Sequence, residues 1–199
     1  GTGGIAGFIL AFLLLFYLAM FAYVIVAYVL QSVSLYTIAK RRGIRHAWLA
    51  WIPVGSLWII GSISDQYQYV VKGKVRNRRK IMLGLTIGSF FAVIPMVISM
   101  VGTLIAGFGY ASVAENTMFG VSLVIMLLTW LAITVLDIVL IVYLYVAMYD
   151  VFASCEPGNA TLNLVLSVLL GVVQPFFMFA CRNKDLGMPP RKAEKPAPQ

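Results

Sequence analysis

Asp137 is the residue whose placement in this chain could most directly do chemistry. It sits in Leu131-Ala-Ile-Thr-Val-Leu-Asp-Ile-Val-Leu-Ile-Val-Tyr143, with 21 uncharged residues before it and 12 after it. An acid near the centre of a bilayer costs at least about 2.5–3.5 kcal/mol on insertion scales, which makes it a functional-site hypothesis by default. No Lys or Arg falls between Ile81 and Cys181 to neutralise it. Its expected partners are hydroxyls and amides: Thr134 on the same segment, and Ser89, Ser99 or Gln174 on others. Two roles fit. As a proton or cation site, Asp137 faces water inside a bundle. As interhelical glue, it is a neutral acid bonded to a neighbouring helix.

Motifs of the common enzyme chemistries are absent. The chain has one histidine, His46, and two cysteines, Cys155 and Cys181, without metal-ligand spacing. It contains no H-E-x-x-H, no G-x-S-x-G, no Walker loop and no paired carboxylates on a spanning segment. No catalytic residue, metal or cofactor is expected. His46 and Asp65 bracket one apolar segment and could pair at its two feet; the plainer expectation is that both are solvated boundary residues.

The elements that must position Asp137 follow from hydropathy and charge. The chain is 61% apolar and 11% charged, whereas soluble domains are about a quarter charged. Its fifteen Lys and Arg residues fall in two stretches, ten between Lys40 and Lys80 and five between Arg182 and Lys195. Cations sorted in this way mark the cytoplasmic side of a membrane protein. The +8 net charge therefore implies an anionic membrane surface as partner, not nucleic acid.

The expected fold is all-α, a polytopic integral membrane helical bundle in a single domain over 1–181. Three apolar runs are long enough to cross the ~20-residue hydrocarbon, with helices at about 5–42, 81–105 and 118–150. The first should stop at Gly43, after a basic last turn. Gly84 and Gly88 in the second have the spacing that permits close helix approach, and Pro95 should kink it. The run 106–117, Gly-rich with Glu115 and no base, reads as an external loop.

Two further segments, 46–64 and 161–181, are short and are expected to be broken in their middle by Pro53 and Pro175. The first is flanked by cations on both sides, so a crossing would strand one basic cluster outside. It is expected to re-enter from the cytoplasmic face, with Trp48, Trp51 and Trp58 as interfacial anchors. For the second, re-entry keeps the basic tail 182–199 inside; a fourth crossing that translocates the tail is the alternative. The tail, rich in Pro, Lys and Ala, is expected to be flexible. Lys72, Lys74, Arg76, Arg78, Arg79 and Lys80 are the expected contacts to anionic lipid headgroups.

The stretch Arg42-Gly-Ile-Arg-His-Ala-Trp-Leu-Ala-Trp-Ile-Pro53 and the ending Arg182-Asn-Lys-Asp-Leu-Gly-Met-Pro-Pro-Arg191 resemble motifs of small multi-pass membrane proteins of Gram-positive bacteria that have no established activity. The resemblance covers roughly 30 residues plus the general helix pattern. It implies a bacterial plasma-membrane protein and carries no catalytic residues over. The function expected from all of this is non-catalytic: a subunit, scaffold or regulator within a membrane complex, with other membrane subunits or self-association as partners and the N-terminus outside. The alternative is a small transporter or channel that uses Asp137.

Overall fold

The computed structural model describes residues 2–108 and 113–190, with backbone alone for 2, 3, 6, 106–108 and 113–116. Among the described residues it is all-helical, without strands, and three helices are long and apolar enough to span a membrane. The external loop expected at 106–117 is shorter than that: α3 continues to Phe108 and α4 begins at Val113, and 109–112, like the tail end 191–199, lie outside the described residues.

Helix α1 runs Thr2–Arg41. No Gly or Pro interrupts it after Gly7, and Lys40 and Arg41 complement the negative end of its dipole. It ends as its sequence predicts. Gly43 takes φ 69°, Gly43 N donates to Lys40 O at 3.2 Å, and Ile44 N donates to Ala39 O at 2.9 Å, the Schellman pattern of closure. A 3-10 turn over Ala47–Trp51 follows, and then α2 over Pro53–Lys72. The next two helices, α3 (Arg78–Phe108) and α4 (Val113–Cys155), pair along their length. After a 3-10 turn at Pro157–Asn159 come α5 (Ala160–Leu169), a second turn at Gly171–Val173, and α6 (Gln174–Cys181).

Two of the prolines begin helices where the expectation had them break one. Pro53 does not interrupt a helix; it occupies the first turn of α2, where its missing N–H costs nothing. Pro175 likewise opens α6, and the break falls at Leu170–Val173. Helix α3 continues through Pro95.

Cohesion is concentrated at one end. Among the described residues, the buried apolar side chains of α1 begin at Leu35. They join Ile59, Ile60 and Ile63 of α2, Met82 near the start of α3, Met148, Val151 and Phe152 near the end of α4, and Met178 of α6. The core therefore sits where α1 and α4 finish and α3 begins. Gly61 is required there: a Cβ on it would lie 2.6 Å from Arg79 Cα. Beyond this core, α3 and α4 continue together. Gly88 meets Leu136, and Thr103 donates to Ser122 at 3.1 Å. Gly84 meets no other segment.

Candidate functional site

The polar interior lies in the same end of the molecule and centres on Asp150, whose side chain is 2% exposed. Ser64 Oγ donates to Asp150 Oδ2 at 2.8 Å, and Gln68 Nε2 donates to both carboxylate oxygens at 2.9 and 2.8 Å. Ser64 and Gln68 are four apart, so they share one face of α2. Arg78 Nη1 closes a direct ion pair with Asp150 Oδ2 and also donates to Ser64 at 2.7 Å. Lys72 Nζ lies 3.8 Å from Oδ1. One carboxylate thus ties α2, α3 and α4 together.

Asp65, one residue after Ser64, turns to the start of α3. Its carboxylate accepts from Arg78 N at 2.9 Å and Arg79 N at 3.3 Å, two of the orphan N–H groups of that helix. Burial pushes the Asp65 carboxyl above its ordinary pKa, against the opposing pull of those N–H groups and of both guanidiniums. Arg79 stacks 5.4 Å over the ring of Trp58.

A second knot joins the chain's two basic regions. Arg42, 3% exposed at its side chain, reaches Asp185 Oδ1 at 2.7 Å and Ser154 Oγ at 2.9 Å. Arg41 Nε lies 2.7 Å from Asp185 Oδ2. Leu186 N donates to Cys155 O at 3.0 Å and Gly187 N to Ser154 O at 3.2 Å, which closes the open carbonyls of α4. A Cβ at Gly187 would stand 2.0 Å from Ala153 O, so only glycine fits. Lys184 and Glu156 pair at 2.7 Å; that hydrogen bond holds the Glu156 carboxyl below its ordinary pKa and the Lys184 ammonium above its own. Cys155 and Cys181 are both buried; Cys181 Sγ donates to Met178 O at 3.5 Å, and Arg42 Nη2 lies 3.8 Å from Cys155 Sγ. The ends of α1, α4 and α6 thus lie together, and the first residues of the tail pack on them.

Asp137 is half-buried at the α3–α4 seam and accepts from Ser89 Oγ at 2.9 Å. Its other expected partners are engaged elsewhere. Thr134 donates to its own helix at Trp130 O, Ser99 to Met96 O, and Gln174 approaches Met148 Sδ at 3.9 Å. The six cations expected at lipid headgroups divide. Lys74, Arg76 and Lys80 are exposed. Lys72 and Arg78 turn toward Asp150, and Arg79 toward Trp58 and Asp65. Of the three tryptophans expected as interfacial anchors, Trp48 and Trp51 are 56% and 44% exposed, and Trp58 packs partly against the core. His46 adopts φ 60°, and it lines with Asp65 a cavity of about 550 Å³ without an ion pair between them.

No family model, curated protein or solved structure matches the chain. Asp150, Arg42 and Asp185 were missed by sequence reasoning. The available signal was charge balance. Asp65 and Asp185 lie within the two clusters of cations and Asp150 and Glu156 between them, and each of these four engages a cation or a helix terminus.

Proposed function

We propose that this chain is a non-catalytic component of a membrane complex: three spanning helices anchored in a rigid cytoplasmic end, in a bacterial plasma membrane, with the N-terminus outside. The observation that carries this reading is the condition of α1. Its apolar side chains from Phe8 to Phe21 are exposed, Phe12 at 60% and Leu15 at 67%, while its last two turns are locked into the core. A helix held firmly at one end and bare along the rest presents a surface to lipid and to other helices. The two polar cavities at the core end hold Arg42 and Asp65, and Asp137 lines neither. That favours glue over transport for Asp137.

Re-entry of both Pro-opened segments belongs to the same reading. Helices α5 and α6, of ten and eight residues, are about 15 and 12 Å long, each about half the ~30 Å hydrocarbon. The pairing of Asp185 with Arg41 and Arg42 keeps all the described cations at one end, as the positive-inside rule requires.

The test is photo-crosslinking from Phe12 and Leu15 in native membranes. Discrete adducts to a membrane protein, or to a second copy of this chain, are expected. Lipid adducts alone, with a monomer after mild solubilisation, would overturn the reading.

A further inference from the structure

Between the end of α1, α2 and the start of the tail lies a cavity of about 720 Å³. Lys40, Arg41, Arg42 and Asp185 face it, so three cations surround one carboxylate. The two guanidiniums take one oxygen each: Arg41 Nε stands 2.7 Å from Oδ2 and Arg42 Nη2 2.7 Å from Oδ1. Two oxygens of a phosphate group would fit that fork equally well, and with more charge. Lys40, on the rim, makes no ion pair among the described residues and rests 5.7 Å over the Tyr36 ring.

Gln66 adds a second, independent indication. Its Nε2 donates to Arg42 O at 3.3 Å, but its buried Oε1 has no donor among the described residues. A buried acceptor left this way destabilises the fold unless something donates to it. Gln66 borders both this cavity and the neighbouring one; its Oε1 is shielded from solvent, so a turn of the side chain is what presents this acceptor to a ligand hydroxyl. Val70, Met188 and Pro189 supply an apolar wall beside the charges.

We propose that this cavity binds a phosphate ester of a polyol, and that Asp185 is an internal stand-in which the ligand phosphate displaces. Arg41 and Arg42 hold the phosphate, Lys40 supplies the unmatched charge, and Gln66 accepts from a hydroxyl. The tail can release Asp185 without leaving its seat, because Leu186 and Gly187 bond to α4 through their backbone and Lys184 pairs with Glu156. Asp185 is itself 31% exposed at its side chain. The ligand can come from an anionic glycerophospholipid headgroup or from a soluble phosphate ester. The lipid source rests on the reading above, which places this end at the cytoplasmic leaflet.

The test is native mass spectrometry of the full chain with short-chain phosphatidylglycerol, short-chain phosphatidylcholine and glycerol 3-phosphate as separate probes. Lys40→Gln with Arg41→Gln should lower occupancy severalfold. Asp185→Asn removes the competitor from both guanidiniums and should raise it severalfold. Lys74→Gln with Arg76→Gln, on the exposed basic surface expected to meet lipid headgroups, should lower phosphatidylglycerol occupancy less than the Lys40/Arg41 pair does and leave glycerol 3-phosphate occupancy unchanged. Selective binding of phosphatidylglycerol assigns the site to lipid, and binding of glycerol 3-phosphate with the same variant pattern assigns it to a soluble ester. Occupancy that ignores Asp185→Asn and the Lys40/Arg41 pair, or that falls equally with Lys74 and Arg76, overturns the proposal. The crosslinking experiment on α1 is indifferent to these variants, so the two readings fail separately.

Discussion

Replacing Asp150 by Ala should be the most damaging single change in the core end. The substitution removes a carboxylate that is 2% exposed and leaves Arg78, 13% exposed, without its ion-pair partner. It also takes an acceptor from Ser64 and from Gln68, both buried. Removing one partner of a buried ion pair typically costs about 3–5 kcal/mol, and a chain of this size loses about 2–4 °C of Tm per kcal/mol, so a fall of about 10 °C is expected. The molecule carries its own reporter. Cys155 and Cys181 are its only thiols and both are buried in the same core, so a thiol-reactive fluorophore in detergent reads the opening of that end directly. The double variant Asp150→Leu with Arg78→Met removes the charge as well as its partner. It should recover at least half of the loss, since an apolar replacement of a buried pair is often neutral. A Tm within about 2 °C of wild type for Asp150→Ala, on a scale of 2–4 °C per kcal/mol, would refute the claim that this carboxylate joins the three helices.

Asp137→Asn should be nearly silent in the same assay, because Asn keeps an acceptor for Ser89, whereas Asp137→Leu should weaken the α3–α4 seam by about 1 kcal/mol, the worth of one interhelical hydrogen bond in a membrane; pH- or ion-dependent flux in liposomes that Asp137→Asn abolishes would instead establish the transport reading. A thiol introduced by Ala197→Cys should resist an impermeant maleimide in intact cells and react after permeabilisation, since the tail cations favour the side of Lys40–Lys80; labelling in intact cells would require a fourth crossing.

The features legible in the sequence were those written in short stretches of it. Three long apolar runs gave three long helices, and Gly43 after Lys40–Arg42 gave the end of the first. The partnership of Asp137 with Ser89 was also within reach, because few polar residues lie at that depth. Asp150 was not legible in the same way. An acid at the end of a long apolar run, followed within a few residues by Glu156-Pro157-Gly158, has the one-dimensional pattern of a solvated helix end. Its actual role depends on Ser64 and Arg78, which precede it by 86 and 72 positions. Asp185 met the same difficulty, since a charged residue in a Pro- and Lys-rich ending reads as tail. Its partner Arg42 is 143 positions away. The prolines failed for a different reason: hydropathy does not distinguish a Pro that breaks a helix from one that begins it.

The concentration of the core at one end has a physical cause once that end is read as cytoplasmic. Inside lipid, apolar side chains gain little by packing on one another, so helices there associate through small residues and interhelical hydrogen bonds. Helices α3 and α4 have such contacts in Gly88 against Leu136, Ser89 with Asp137, and Thr103 with Ser122. The stretch of α1 from Phe8 to Leu30 contains no Gly, Ser or Thr, and its polar groups are tyrosines. Two of these are placed where non-helical backbone needs them. Tyr23 donates to Val172 O at 2.6 Å, and Tyr28 donates to Trp51 O. Each carbonyl belongs to a 3-10 turn that precedes a Pro-opened helix, one in each of the two short segments. In hydrocarbon, a carbonyl freed from a regular helix must find a donor within the protein. Helix α1 therefore acts as a post on which the turns of both short segments close their hydrogen bonds, and the remainder of its surface is left exposed.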